Sequence, residues 1–138
     1  MFGTVLLIDD DNATNYLHEY YLKEWNICNE VLTAEDGRSA LDLFEKTPNL
    51  LSAPNSLILL DINMPVMNGF EFLQEYEKLS TDIKAEYLFI MLTTELSATY
   101  QERANQLSDI DGFVKKPLTQ EGLIEQVNLN QKSQKSNF

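Results

Sequence analysis

Three short, almost unbroken aliphatic runs constrain this chain more than anything else in it: TVLLI at Thr4 to Ile8, LILL at Leu57 to Leu60, and YLFIMLT at Tyr87 to Thr93. Each is too short for a buried helix and too apolar for a strand with one wet face, so each predicts a strand covered on both sides. Between them the apolar period changes. Asn12 and Thr14 are helix starters, and Ala13, Leu17, Tyr20 and Tyr21 then recur at helical spacing up to Trp25. Glu30 to Ala34 alternates as a second strand, Asp36-Gly37 turns, and Ala40, Leu41 and Phe44 mark a helix ending before Pro48. Lys46 to Ser56 reads as a loop, and Asn68-Gly69 leads into a helix carried by Phe72, Leu73, Tyr76 and Leu79. A weakly amphipathic stretch spans Ala98 to Leu107. Phe113 and Val114 make a short fifth strand after Asp111-Gly112, and Leu123, Ile124 and Val127 define a last helix.

Strands that alternate with helices and are themselves continuously apolar predict an α/β fold, a doubly wound parallel sheet of five βα units with helices on both faces, because parallel strands need helical crossovers. The length of 138 residues fits one domain. The expected domain is 1–127; residues 128–138, polar and without periodicity, are expected to be a disordered tail, and no second domain is expected. A single cysteine, Cys28, excludes an internal disulfide and fits a reducing compartment. With no signal-like opening and no membrane-length apolar run, a cytoplasmic protein is expected. The net charge of −12 would repel phosphate backbones and anionic lipid, so no direct nucleic-acid or membrane partner is expected.

Ligands of such sheets bind beyond the carboxyl ends of the strands. There the chain places Asp9, Asp10 and Asp11 after strand one, Asp61 and Asn63 after strand three, Thr93, Thr94 and Glu95 after strand four, and Lys116-Pro117 after strand five. Carboxylates crowded into one cleft repel by about 4 kcal/mol per pair at 4 Å in an effective dielectric of 20, which asks for a cation among them. An all-oxygen donor set with room for water and phosphate suits Mg²⁺. A carboxylate beside Mg²⁺ and a lysine is also equipped to carry a phosphoryl group.

These residues sit in four segments, LLIDDD at Leu6 to Asp11, LLDINMPVMNG at Leu59 to Gly69, MLTT at Met91 to Thr94 and KKP at Lys115 to Pro117, and with them the chain resembles a receiver domain of a two-component response regulator from Thr4 to Val127. The resemblance implies a flavodoxin-like sheet of order 2-1-3-4-5 and a free-standing, chemotaxis-type phosphoacceptor that is a signalling protein and not an enzyme. It makes Asp61 the phosphoacceptor. Asp9, Asp10, Asp61 and the Asn63 backbone carbonyl become the Mg²⁺ site, with Asp10 the more direct ligand of the acidic pair. Thr93 is the implied switch hydroxyl, Phe113 the switch aromatic and Lys116 the phosphoryl-pairing lysine, its bond to Pro117 expected cis. Phosphodonors would be a sensor histidine kinase or a histidine phosphotransfer protein. Output would go by contact with a downstream protein or by onward transfer in a phosphorelay, from a monomer or a phosphorylation-promoted dimer. The Asn63 and Glu95 pair, shared with chemotaxis-type members, implies a short-lived phosphoaspartate.

Three rival readings fit these residues less well. A small Mg²⁺-dependent phosphohydrolase with an aspartate nucleophile needs a second aspartate two positions on as general acid, where this chain has Asn63. A flavodoxin would set an FMN phosphate against Asp9, Asp10 and Asp11, which repel it. A phosphorylation-independent interaction domain on the same fold usually lacks a key residue, and here all are present. His18, Cys28 and Trp25 are read as ordinary structural residues: His18 at the surface or partly buried, Trp25 as an apolar cover at the end of its helix.

Overall fold

The computed structural model describes residues 2–47, 56–79, 87–94, 97–106 and 110–136. Its elements are β1 (Phe2–Ile8), α1 (Asn12–Glu24), β2 (Cys28–Ala34), α2 (Gly37–Lys46), β3 (Ser56–Asp61), α3 (Gly69–Glu77), β4 (Tyr87–Thr93), α4 (Ala98–Asn105), β5 (Gly112–Lys115) and α5 (Gln120–Ser136). The strands form one parallel sheet in the order β2-β1-β3-β4-β5. This is the doubly wound, flavodoxin-like arrangement expected. β1 begins two residues earlier than its aliphatic run because Phe2 pairs with Cys28, which also carries β2 back from Glu30.

Period-two alternation along the central strands sends successive side chains to opposite faces and so builds two cores. Leu6, Ile8, Ile58, Leu60, Phe89 and Met91 meet the apolar faces of α2 and α3. Val5, Leu7, Leu57, Leu59, Ile90 and Leu92 meet Leu22 of α1 and Leu118, Leu123 and Val127 at α5. The aliphatic runs are therefore buried twice over, as their composition requires.

Helix α1 corrects the sequence reading. Its inner face carries Asn15, His18 and Leu22, while Leu17 and Tyr20 are 44% and 53% exposed. Asn15 turns inward because its Nδ2 donates to the Asp9 and Ala34 carbonyls, at 3.0 and 3.3 Å, and so ties together the ends of β1 and β2. That pair of bonds, invisible to a hydrophobic count, sets the helix rotation. The helix closes at Trp25, which stacks on Tyr21, and at Asn26 in the left-handed conformation that asparagine tolerates. His18 is buried outright, only 3% exposed.

Helix α5 extends past residue 127, where the expected domain ends. It runs to Ser136. Neither Gly nor Pro interrupts that segment, and extending a helix already anchored by Leu123 and Val127 costs far less than starting one.

Candidate functional site

Register alone brings the candidate residues together. Ile8 pairs with Leu60, Asp61 with Leu92 and Thr93 with Lys115, so Asp9, Asp61, Thr93 and Lys116 all emerge at one carboxyl edge.

The three consecutive aspartates divide the work. Asp11 is the N-cap of α1, accepting from the Ala13 and Thr14 amides and from the Thr14 hydroxyl. The Thr14 hydroxyl, followed by the two amides, holds its carboxyl below the usual range. Asp9 is buried and doubly engaged, Oδ1 accepting from the Asp11 amide at 2.9 Å and Oδ2 from Lys116 Nζ at 2.8 Å. Asp10 is exposed. Carboxylate oxygens of Asp9, Asp10 and Asp61 lie within 4.8 Å of one another.

Asp61 is 4% exposed. Burial, then the neighbouring Asp9 charge, pushes its carboxyl above the ordinary range; Lys116 and the Asn63 backbone N–H act in the opposite direction. Lys116 Nζ reaches Asp61 Oδ1 at 3.1 Å as well as Asp9, so one ammonium bridges two buried carboxylates. Burial works against its charge, but these pairings keep its pKa raised. Its amide donates to the Thr93 carbonyl at 2.7 Å, which fixes the fifth strand end against the fourth, and the Lys116-Pro117 bond is cis. Lys115 points out to solvent.

The loop after Asp61 is tightly built. Gly69 donates its amide to the Ile62 carbonyl at 2.9 Å, and a Cβ there would sit 2.7 Å from the Asp61 carbonyl oxygen. Asn68 closes a capping box with Glu71 on α3. Thr93 is fully buried at the end of β4, Asn63 is exposed, and Phe113 is half-buried against the core beneath α3 and α4. Glu95 lies outside the described residues.

The structure thus joins Asp9, Asp10, Asp61 and Lys116 directly, and sets Thr93 and Asn63 at adjoining strand ends. Sequence reasoning missed Asn15, whose polar position on an inward helix face gave no periodic signal. It also missed Tyr100, whose hydroxyl lies 3.4 Å from Asn63 Oδ1 across 37 residues of chain.

A divalent cation fits the donor set. The carboxylates are hard oxygen donors, and one lysine leaves their cluster net negative. Asp9 and Asp61 both accept from Lys116, whereas Asp10 is exposed to solvent and open to direct ligation.

A parallel sheet of this order, with an acidic pocket and a lysine at its carboxyl edge, defines the CheY-like class of signalling folds, in which that pocket fits the phosphoacceptor site. The chain belongs to the response regulator receiver domain family, whose sequence model matches residues 5–128. Its structure is similar to the chemotaxis protein CheY4 of Vibrio cholerae, with 30% identity, a TM-score of 0.73, and coverage of 93% of this chain and 98% of that one. A two-component response regulator from Cytophaga hutchinsonii gives 29% identity and a TM-score of 0.79, covering 92% and 95%. In sequence, Response regulator Rcp1 of Synechocystis sp. is 29% identical over 106 residues, 73% of this chain and 71% of Rcp1. Autoinducer 1 sensor kinase/phosphatase LuxN of Vibrio campbellii is 31% identical over 116 residues, 84% of this chain; the chain spans 12% of that protein's length. Among the described residues, no helix is long and apolar enough to cross a membrane.

Proposed function

We propose that Asp61 accepts a phosphoryl group from a phosphohistidine of a sensor histidine kinase or histidine phosphotransfer protein. The observation that carries this reading is the bridge of Lys116 between Asp61 and Asp9 beside the exposed Asp10. The Asp61 carboxylate attacks phosphorus, the phosphorus–nitrogen bond breaks, and the donor imidazole leaves with the electron pair. Lys116 moves its charge from the Asp61 carboxylate to a phosphoryl oxygen, and the Thr93 hydroxyl meets another. Asp9, Asp10, Asp61 and the Asn63 backbone carbonyl would hold Mg²⁺, with Asp10 the more direct ligand of the acidic pair. Mg²⁺, when bound, neutralises charge on the phosphoryl oxygens. Autodephosphorylation is the same chain's own reaction, with water as the attacking group, and the phosphoryl lifetime is short.

Phe113 follows Thr93 as the switch aromatic, and output passes by protein contact or onward transfer, from a monomer or a dimer promoted by phosphorylation, in the cytoplasm. Residues 1–127 form the receiver unit, with 128–136 a helical extension of it. The exposed Tyr16, Leu17 and Tyr20 of α1 give a partner an apolar surface near the acceptor edge.

A phosphate-affinity gel after incubation with acetyl phosphate, with and without Mg²⁺, tests the acceptor chemistry against an Asp61→Asn variant. A Mg²⁺-dependent shifted band, absent from the variant, is expected. An unshifted wild type overturns the reading and leaves a domain that works by unphosphorylated contact.

A further inference from the structure

Helix α4 is fastened to the acceptor loop at two points on one face. Tyr100 and Arg103, one helical turn apart, both reach Phe70: the Tyr100 ring lies 5.7 Å from it and the Arg103 guanidinium stands 4.2 Å over it. Phe70 is almost fully buried in the first turn of α3 and follows Gly69, whose amide donates to the Ile62 carbonyl and where an added Cβ would sit 2.7 Å from the Asp61 carbonyl oxygen. Whatever grips Phe70 therefore grips the end of β3.

Beyond that grip, the Tyr100 hydroxyl reaches Asn63 Oδ1 at 3.4 Å, the long end of hydrogen-bond range. Asn63 is exposed, and its backbone is flanked by two bonds of its neighbours, Ile62 amide to Leu92 carbonyl at 3.1 Å and Met64 amide to Ile62 carbonyl at 3.2 Å. Its side chain is reached from α4.

We propose that Tyr100 is a positioning residue of the acceptor site: its hydroxyl fixes Asn63, and through Asn63 it makes divalent-cation binding and the docking of α4 a single coupled event. The inference rests on the cation site described under the proposed function. Ordering Asn63 before the cation arrives lowers the entropy that binding must supply, and by linkage a bound cation must tighten α4 against the loop by the same factor.

Mg²⁺ affinity of the full chain, measured by calorimetry for wild type and Tyr100→Phe, tests this. The phenyl ring keeps the Phe70 contact and loses only the hydroxyl. One neutral hydrogen bond corresponds to a roughly threefold to tenfold weaker affinity. Amide hydrogen exchange supplies the readout that a merely structural role would not move: Mg²⁺ slows exchange in α4 of the wild type and leaves α4 of Tyr100→Phe unchanged. In an Asn63→Ala background, Tyr100→Phe has no further effect on affinity. Equal affinities and equal Mg²⁺-dependent protection overturn the proposal, as does a wild type that binds no Mg²⁺. If Mg²⁺ binds and the hydroxyl matters but acetyl phosphate leaves Asp61 unmodified, the coupling stands and the phosphoacceptor reading fails.

Discussion

Replacing Lys116 by methionine keeps the unbranched stem of the side chain and removes the one charge that separates two buried carboxylates. Lys116 Nζ stands 2.8 Å from Asp9 and 3.1 Å from Asp61, and those aspartates' oxygens come within 4.8 Å of each other. In an effective dielectric of 20, the uncovered repulsion is about 3.5 kcal/mol. Breaking a buried ion pair from one side costs about 3–5 kcal/mol, and the partial exposure of Lys116 favours the lower figure, so Lys116→Met is expected to lose about 3 kcal/mol at pH 8 without divalent cation. The loss must depend on pH. Asp61 already has a folded pKa above the unfolded value, so between the two the folded state binds more protons and stability falls as pH rises through that window. Losing Lys116 raises the folded value further, which extends the window upward and opens the gap to wild type as pH rises. Urea unfolding followed by circular dichroism at pH 4.5, 6 and 8, with and without Mg²⁺, reads this directly. Saturating Mg²⁺ at pH 8 narrows the gap by restoring positive charge. A gap that is the same at every pH and indifferent to Mg²⁺ would falsify the electrostatic account and assign the loss to packing of the lysine stem.

Three further outcomes follow from other parts of the fold. His18 is buried with Nδ1 lacking a partner, and burial first, then Lys116, holds its pKa below the ordinary value against the pull of Asp9. Stability is therefore lost as pH falls from about 6.5 toward that lowered value. His18→Leu should flatten this loss, gaining about 1 kcal/mol at pH 5.5 relative to its effect at pH 7.5; parallel pH–stability curves would sink the idea. Gly69→Ala forces a Cβ to 2.7 Å from the Asp61 carbonyl oxygen and 3.0 Å from Ile62 Cα, both backbone, and should cost about 2–3 kcal/mol in urea unfolding. Gly122→Ala meets side chains and no backbone, the exposed Thr119 hydroxyl at 3.0 Å and Val114 Cγ1 at 3.9 Å, and serves as the tolerant control; equal costs at both glycines would contradict the close-approach argument. Val66 holds a φ of 68° with its side chain wholly exposed, a conformation that β-branched residues resist. Val66→Asn should stabilise by about 1 kcal/mol, read as a higher melting temperature, and a fall would show that the loop owes its shape to valine.

The sequence by itself determined the elements and the edge on which the chemistry gathers. Aliphatic runs such as LILL specify doubly buried strands because no other placement hides both sides, and parallel connection then puts every strand end, with Asp9, Asp61, Thr93 and Lys116, on one side of the sheet. Tertiary structure decided what periodicity could not encode. The rotation of α1 follows from Asn15 bridging two strand ends, which overrules the apolar count of Leu17 and Tyr20. The depth of His18, the double pairing of Lys116 and the reach of Tyr100 to Asn63 all depend on contacts between distant segments. Local sequence fixes which residues a strand or helix presents, whereas partners more than a few turns away are chosen only when the packed layers bring them within a hydrogen bond's length.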